Sequence, residues 1–408
     1  MGLNDILRDI EGSRDDIIRD VTSMVGISSV GPACGGKGES EIADWLIGKI
    51  SGIGFFDSVE RVDVPDGDVI RSNIIARKNG KRKGTVWFVS HTDTVHPGDP
   101  SLWEHPPFKA FVEGDRIYGL GAEDNGQGIM STFYAVRSMK GIGLEGHSLG
   151  MVFVADEETG SRFGIAHLIR MGIFQKDDFV IVPDWGSPKG EMIDVAEKHI
   201  LWIKVRVNGR QTHGSTPDKG LNAYRIGAAL VTDLTSRLYS RYDRPDPLFR
   251  PPVSTFEPTK RSMTVDSINM IPATDEFWMD CRILPDYDLD EITSFIRSIL
   301  DEHSKMTGAG IDLEIVQSSP SGPPSSTGTR EYEVLRESIA EVTGRTVRES
   351  GIGGGTCANF FRKEGIDAYA WSSEGGSLHK PNEYVLISNI MTDAKVFATV
   401  IDRLCINS

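Results

Sequence analysis

The sequence predicts an α/β fold: a domain with a mixed, largely parallel sheet flanked by helices, plus an inserted α+β domain. Three observations carry this. Short, unalternating apolar runs recur between helical patterns. The middle of the chain changes to longer strands in a different order. The length, 408 residues, exceeds what one compact core usually holds.

The apolar runs define the larger α/β domain. Residues 84–90 read Gly-Thr-Val-Trp-Phe-Val-Ser, and 150–155 read Gly-Met-Val-Phe-Val-Ala. Residues 178–182 read Asp-Phe-Val-Ile-Val, and 367–371 read Asp-Ala-Tyr-Ala-Trp. Each is bounded by polar residues or glycine, as a strand buried on both faces should be. Helical spacing of apolar residues marks 13–24, 39–50, 127–138 and 161–171. Strands and helices therefore alternate.

The middle reads differently. Residues 199–207 form a long strand-like run closed by Asn208-Gly209, and 221–238 are helical. A strand and a turn lie within 267–283, a helix follows at 288–306, and a strand closes at 312–317. The order strand-helix-strand-strand-helix-strand fits a ferredoxin-like domain. Residues 318–328 (Ser-Ser-Pro-Ser-Gly-Pro-Pro-Ser-Ser-Thr-Gly) are composed like a linker or loop. The expected organisation is an α/β domain in two parts, 1–197 and 318–408, with 198–317 inserted between them.

Composition narrows the function class. A 39% hydrophobic and 25% charged share suits a globular protein. No stretch of eighteen apolar residues predicts a membrane span, and the N-terminus lacks the apolar core of a signal peptide, so cytoplasmic residence is the expectation. Net charge is −15, from 44 basic and 59 acidic residues. That argues against nucleic acid or anionic lipid as the main partner. Cys34, Cys281, Cys357 and Cys405 are scattered, with no Cys-x-x-Cys. A disulfide framework or thiolate zinc site is not expected, so any metal must be held by histidine and carboxylates.

Such residues fall where open α/β sheets place their ligands, outside the carboxyl ends of strands. His91-Thr-Asp93 follows the first run and Asp156-Glu157-Glu158 the second. Pro183-Asp184 follows the third, and a Gly/Ser loop leads from the fourth to His379. Asp124 lies in Gly-Ala-Glu-Asp-Asn-Gly, just before a helical pattern. Singly each has a bland reading: Asp124 as a helix N-cap, Asp184 as a turn former, the paired glutamates as solvated surface. Together, at successive strand ends, they point to a metal site. His91 and Asp93 share a face if the strand continues, so Asp93 can accept the second ring N–H of His91. Glu157 and Glu158 are adjacent and diverge, so one can bind metal while the other serves as general base. Two histidines and three carboxylates give each of two zinc ions a nitrogen and oxygen set, provided one carboxylate bridges. Cobalt or manganese suits the same ligands. The histidines His96, His105, His147, His167, His199 and His303 fit no such pattern.

These motifs, in this order along nearly the whole chain, resemble the M20 metallopeptidase family. That family includes succinyl-diaminopimelate desuccinylase, acetylornithine deacetylase, glutamate-releasing carboxypeptidase and aminoacylase. The resemblance implies that Asp124 bridges two zinc ions, that His91 and Asp184 complete one, and that Glu158 and His379 complete the other. It makes Glu157 the general base and then acid, has Asp93 orient His91, and implies a cis Asp124–Asn125 bond. It also implies that the inserted domain is a lid and homodimer surface. Gly209-Arg-Gln-Thr-His213-Gly-Ser-Thr-Pro resembles the family's lid motif, in which His213 would stabilise the oxyanion. Asn269, Arg282, and Gly355 and Thr356 of the segment 353–356 resemble substrate-binding positions. Arg282 suits a bidentate grip on a carboxylate, and the glycine amides suit an anion.

Two departures lie near the expected substrate. Asp124-Asn-Gly-Gln-Gly stands where many members have Asp-Met-Lys-Gly, and Cys357-Ala follows the glycine segment where Asp or Ser-Asp is common. Asp184 in place of Glu is more typical of the aminoacylase and peptidase branches. The expected activity is hydrolysis of a linear amide in a small carboxylate-bearing substrate. An N-acyl amino acid of the succinyl-diaminopimelate or acetylornithine type leads, with a di- or tripeptidase or a carboxypeptidase as the alternative. A non-catalytic metal-binding homologue is the rival from another class; retention of Glu157 argues against it, because binding alone needs no base.

Overall fold

The computed structural model describes residues 2–262 and 265–407. The chain divides into two compact units: residues 1–195, 324–350 and 356–408 form the first, and residues 196–323 and 351–355 the second.

The first unit carries an eight-stranded mixed sheet. Its order is Ser58–Asp66, Val69–Lys78, Ser148–Val154, Thr85–His91, Phe179–Ser187, Ala368–Ser373, Met192–Glu197, Arg348–Ile352. The four central strands, Ser148–Val154 through Ala368–Ser373, pair in parallel. They are the four apolar runs of the sequence. Every residue of Thr85–His91, Ser148–Val154 and Ala368–Ser373 is buried, which is why no polar alternation marks them. The strands Val69–Lys78 and Ser58–Asp66 add antiparallel pairings on one side, and Met192–Glu197 adds one on the other.

Side chains alternate across this sheet to meet helices. Trp87 packs edge-on against Phe174, with ring centroids 5.1 Å apart, and Phe174 against Phe361 of the helix Cys357–Lys363. Phe88, its neighbour, meets Phe397 of the helix Ile387–Ile401 at 5.0 Å. Truncating such an aromatic to alanine costs about 3–5 kcal/mol. Gly150 makes room for Trp87, because a Cβ there would stand 2.0 Å from the indole ring. Asp178 then fixes the indole by accepting from Trp87 Nε1 at 2.8 Å.

Two sequence expectations change in detail. The helix expected at 161–171 is regular only over Ile165–Arg170. The preceding residues are drawn into a turn by Asp156, whose carboxylate accepts from Phe163 N at 3.1 Å. The linker-like segment 318–328 begins inside a strand, Gly310–Ser319. Its later part is tied down: Ser325 N donates to Val195 O at 2.9 Å, and Ser325 Oγ to Ala368 O at 2.8 Å. Serine and proline composition reports the lack of regular structure there, not looseness.

The second unit is an antiparallel sheet in the order Thr255–Ser262, Thr274–Ile283, His199–Asn208, Gly310–Ser319. Helices Ala223–Arg241 and Leu289–Thr307 share a core with it through Ile203, Val205, Leu230, Leu234, Ile296 and Ile299. Burial alternates along Thr274–Ile283, the mark of a sheet covered on one face. Asp288 caps the second helix by accepting from Asp290 N and Glu291 N, and Gly308 ends it at φ +74°. The strand-helix-strand-strand-helix-strand order and the sheet order are those of a ferredoxin-like fold. No helix among the described residues is long and apolar enough to cross a membrane.

Candidate metal centre

All five metal-capable positions meet in the first unit. Thr85–His91 ends on His91. The strand Ser148–Val154 runs into Asp156, at φ +65°, and then a tight turn, Glu157–Thr159. Asp184 lies within Phe179–Ser187, one residue beyond its wholly buried stretch. Asp124 precedes the helix Gly126–Arg137, and its peptide bond to Asn125 is cis, as the resemblance implies. Asp124 is not the helix cap; Asn125 takes that place.

Asp124 is the hinge of the geometry. Its Oδ1 lies 2.9 Å from His91 Nε2, and its Oδ2 lies 2.9 Å from His379 Nε2. His91 Nε2 is also 3.3 Å from Asp184 Oδ1, and His379 Nε2 is 3.0 Å from Glu158 Oε1. The donors thus form two sets that share one carboxylate. Two donors on a single tetrahedral zinc stand about 3.3 Å apart, given bonds of about 2.0–2.1 Å. Ligand atoms of His91, Asp124 and Glu158 fall within 4.8 Å of one another, as do those of His91, Glu157 and Asp184.

The tautomer of His91 supports a cation. Its Nδ1 lies 2.9 Å from the backbone carbonyl of Asp93, which can only accept, so Nδ1 carries a proton. Nε2 then faces two carboxylates and needs either a second proton or a cation between them. Charge gives the same answer. Burial, and then Asp184, pushes Glu157 well above the ordinary carboxylate range. Burial also raises Glu158 and Asp184. Despite its burial, His91 is held well above the usual imidazole value by Asp184, Asp124 and Asp93. Hydrogen bonds to Asp124 and Glu158 push His379 up to about 11. Burial works against ionisation of Asp124, yet His379 and His91 hold it well below the carboxylate range. The cluster holds more negative charge than its imidazoles can balance, and divalent cations fit that surplus.

Asp93 departs from the expected arrangement. Its carboxylate is 3.6 Å from His91 Nδ1 and instead accepts from Glu157 N at 3.0 Å and Glu158 N at 3.1 Å. The two-residue spacing implies a shared face only while the strand lasts, and the strand stops at His91. Asp93 therefore orients His91 through its backbone and the Glu157–Glu158 turn through its side chain. The two glutamates have different surroundings. Glu158 is engaged by His379, whereas the Glu157 carboxylate makes no hydrogen bond or ion pair among the described residues.

Support for the turn comes from residues without a sequence signature. Buried Arg71 grips Glu39 through Nε and Nη2 and reaches Asp156 Oδ1 at 3.2 Å. Asn125 Nδ2 donates to Asp184 Oδ1 at 2.6 Å. Glu123 and Glu383 hold the two loops that carry Asp124 and His379. Their partners lie far away in sequence, so only their proximity to the motifs could have drawn attention to them. Burial, and then Glu157, raises the Cys357 thiol well above its ordinary value, and the groups that could hold a metal among the described residues consist of histidine and carboxylates.

The remaining expected residues divide between the units. Thr356, in the first, is buried and caps the helix Cys357–Lys363 by accepting from Ala358 N at 3.1 Å. His213, Asn269, Arg282 and Gly355 belong to the second. His213 is exposed on a two-residue strand, with Nδ1 2.7 Å from Ser215 Oγ. Asn269 is exposed beside it, and its backbone carbonyl accepts from Gly214 N. Arg282 is paired within its own unit. The fork expected to grip a substrate carboxylate is occupied by Asp280, at 2.7 Å and 3.1 Å, and Nη1 donates to Gly353 O at 2.8 Å. Two residues apart on one strand, Asp280 and Arg282 share a face, so the nearest carboxylate takes the fork.

Comparison with known proteins agrees with this geometry. The sequence model of Peptidase family M20/M25/M40 matches residues 87–403. An uncharacterized metallohydrolase of Methanocaldococcus jannaschii is 34% identical over 407 residues, covering 95% of this chain and 99% of its own. A succinyl-diaminopimelate desuccinylase of Alkalilimnicola ehrlichii is 27% identical, covering 85% of this chain and 89% of its own. In fold, a crystal structure of an aminopeptidase from Bacillus cereus aligns with TM-score 0.76 at 21% identity, over 96% of this chain and 98% of that one. With more than three quarters of the chain matched by the family and a relative above 30% identity along almost its entire length, this chain belongs to Peptidase family M20/M25/M40 and is a hydrolase of amide or peptide bonds.

Proposed function

We propose that the protein hydrolyses a linear amide in a small carboxylate-bearing substrate at a centre for two divalent ions, zinc in the first instance, with cobalt or manganese as substitutes. The observation that carries this is Asp124, each of whose oxygens faces a different imidazole. His91 and Asp184 would hold one ion with it, and Glu158 and His379 the other. Ions held there would polarise the scissile carbonyl and make water acidic enough to react at neutral pH.

The chain's own residues supply the rest. Glu157, engaged by no other described side chain and seated on a turn fixed by Asp93, takes the proton of the attacking water and returns it to the leaving nitrogen. His213 stabilises the oxyanion, and Asn269, Gly355 and Thr356 contact the substrate. Arg282 acts on substrate through the Gly353 segment that it holds. The second unit serves as lid and homodimer surface.

An N-acyl amino acid is the leading substrate class, supported by relatives named as desuccinylases. A short peptide is the second reading, favoured by structural neighbours named as peptidases and by Asp184 in place of Glu. The test is hydrolysis by metal-free protein reconstituted with zinc or cobalt, across N-succinyl and N-acetyl amino acids, dipeptides and tripeptides. Two ions bound per chain and turnover restricted to one class are expected. A single ion, or equal rates with and without metal, would overturn the reading.

A further inference from the structure

We infer that Glu123 and Glu383 form a reciprocal clamp: each lies on a loop bearing one histidine or aspartate of the metal centre and holds the loop that bears the other. They are positioning residues, and what they set is the separation of His379 from Asp124. The inference rests on the two-ion reading above.

The bonds are reciprocal in detail. Glu383, four residues after His379, accepts on Oε1 from Glu123 N at 3.0 Å and Asp124 N at 3.1 Å. Its backbone carbonyl accepts from Gly119 N at 2.9 Å. Glu123, immediately before Asp124, gathers the opposite loop. Its Oε1 accepts from Gly375 N and, at 3.1 Å, from Gly376 N. Its Oε2 accepts from Ser377 N at 2.7 Å and from Ser377 Oγ. Neither carboxylate forms an ion pair with a cationic side chain among the described residues, and both are buried, at 4% and 1% exposure.

That combination needs a reason. A buried carboxylate is costly unless its acceptor sites are filled. Glu123 meets the condition with four donors from three consecutive residues, an arrangement suited to an acceptor-only group. The close approach is provided for: a Cβ at Gly375 would stand 2.8 Å from Glu123 Oε1, and Gly376 takes φ +81°. His379 is exposed, at φ +56°, on a stretch with no helix or strand between Ser373 and Tyr384. Beyond it the stretch is tied by Asn382, which accepts from Glu104 N at 2.7 Å and donates to Leu102 O at 3.3 Å. Before it, residues 375–377 are placed by the residue next to Asp124. The ligand sets are held at the right distance because each loop is anchored beside the other's ligand.

A purely structural role would weaken the fold without preference between the two ions. The experiment is a double-mutant cycle on the full-length, metal-free chain, titrated with Zn²⁺ by calorimetry and with Co²⁺ by visible absorption. Glu123→Gln keeps the size but places an amide N–H against the donors of the 375–377 loop. One ion is expected to bind at least tenfold more weakly, within the 10–100-fold range of outer partners, with a shifted cobalt spectrum and the other ion within threefold. His379→Ala should weaken the same ion. In that background Glu123→Gln should change the affinity less than threefold, and Glu383→Gln should behave likewise. Additive losses, equal losses of both ions, or unchanged affinities and spectra overturn the clamp. His379→Ala that leaves both ions at full affinity overturns the two-ion reading itself, a result distinguishable from failure of the clamp alone. Should Glu123→Gln not fold, Ser377→Ala and Gly375→Ala probe the same contact, and unchanged affinity in both overturns it.

Discussion

The metal centre and the candidate substrate residues of the second unit are built differently. Asp124, Asp184, Glu158 and His91 are side chains with little exposure, held by second partners such as Asn125, Asp93 and Glu383. His213 and Asn269 are exposed, and their contacts are local: Ser215 for the ring, Gly214 for the carbonyl. The chemistry is preorganised by long-range packing, whereas the groups assigned to substrate are free to adapt. Rate should therefore be lost abruptly by changes in the first region and selectivity shifted gradually by changes in the second.

Glu157→Gln should give the largest effect. The variant keeps the shape of the turn and its backbone bonds to Asp93 but cannot accept a proton. We expect kcat to fall by about 10²–10⁴-fold with both ions retained, read from steady-state rates and metal analysis of the same sample. Unchanged turnover would remove Glu157 from the mechanism, and loss of metal would make it a ligand, an arrangement its proximity to His91 and Asp184 also permits.

His213→Ala comes next, and it breaks the comparison most directly. As an oxyanion donor it should cost about 10²–10³-fold in kcat, with no change in metal affinity or thermal stability, because its bonds stay within its own turn. A fall in metal affinity would show that the second unit shapes the centre itself.

Arg282→Lys sharpens the picture of the substrate side. Lysine cannot reproduce a planar fork that binds Asp280 side-on while reaching Gly353. KM is expected to rise by roughly tenfold through the displaced glycine segment, at nearly constant kcat. An equal loss in kcat and kcat/KM would instead place Arg282 at the transition state.

The same contrast explains what could be read from the sequence. His91, Glu157, Glu158 and Asp184 stood out because each closes an apolar run that became a central parallel strand. The outer strand Ser58–Asp66 gave no such signal, since charged residues such as Glu60, Arg61 and Asp63 interrupt it and only Val64 is buried. Glu123 and Glu383 were hidden for another reason. A glutamate reads as surface unless its partners are near in sequence, and those of Glu123 lie about 250 residues away. Arg282 left two readings open, a substrate grip or an ion pair, and the structure shows its fork paired with Asp280. The substrate's identity was not legible because His213 and Asn269, the residues proposed to meet it, are exposed side chains without a fixed local pattern.

The smallest predicted effects also contrast the two regions, through two buried groups outside the metal centre. In the first unit, burial raises Asp393 to about 7, despite hydrogen bonds from Ser373 and Gln127. Between pH 4 and 7 the native state keeps a proton that the unfolded chain has lost, so this group's contribution to stability falls as pH rises. In the second unit, burial and then the charge of Arg282 lower Lys198 to about 8. Its ammonium is held by Pro251 O and Val253 O, at 3.0 Å and 2.6 Å. Between pH 8 and 10.5 the unfolded chain keeps a proton that the native state has lost, so here stability rises with pH. Asp393→Asn should flatten the decline in Tm across the acidic window, and Lys198→Met should remove the gain across the alkaline one. Each change should be on the order of a few degrees relative to the parent at the window's far end. Both are read from melting curves of metal-free protein. If either variant keeps the parent's slope in its own window, burial is not what governs that group's charge.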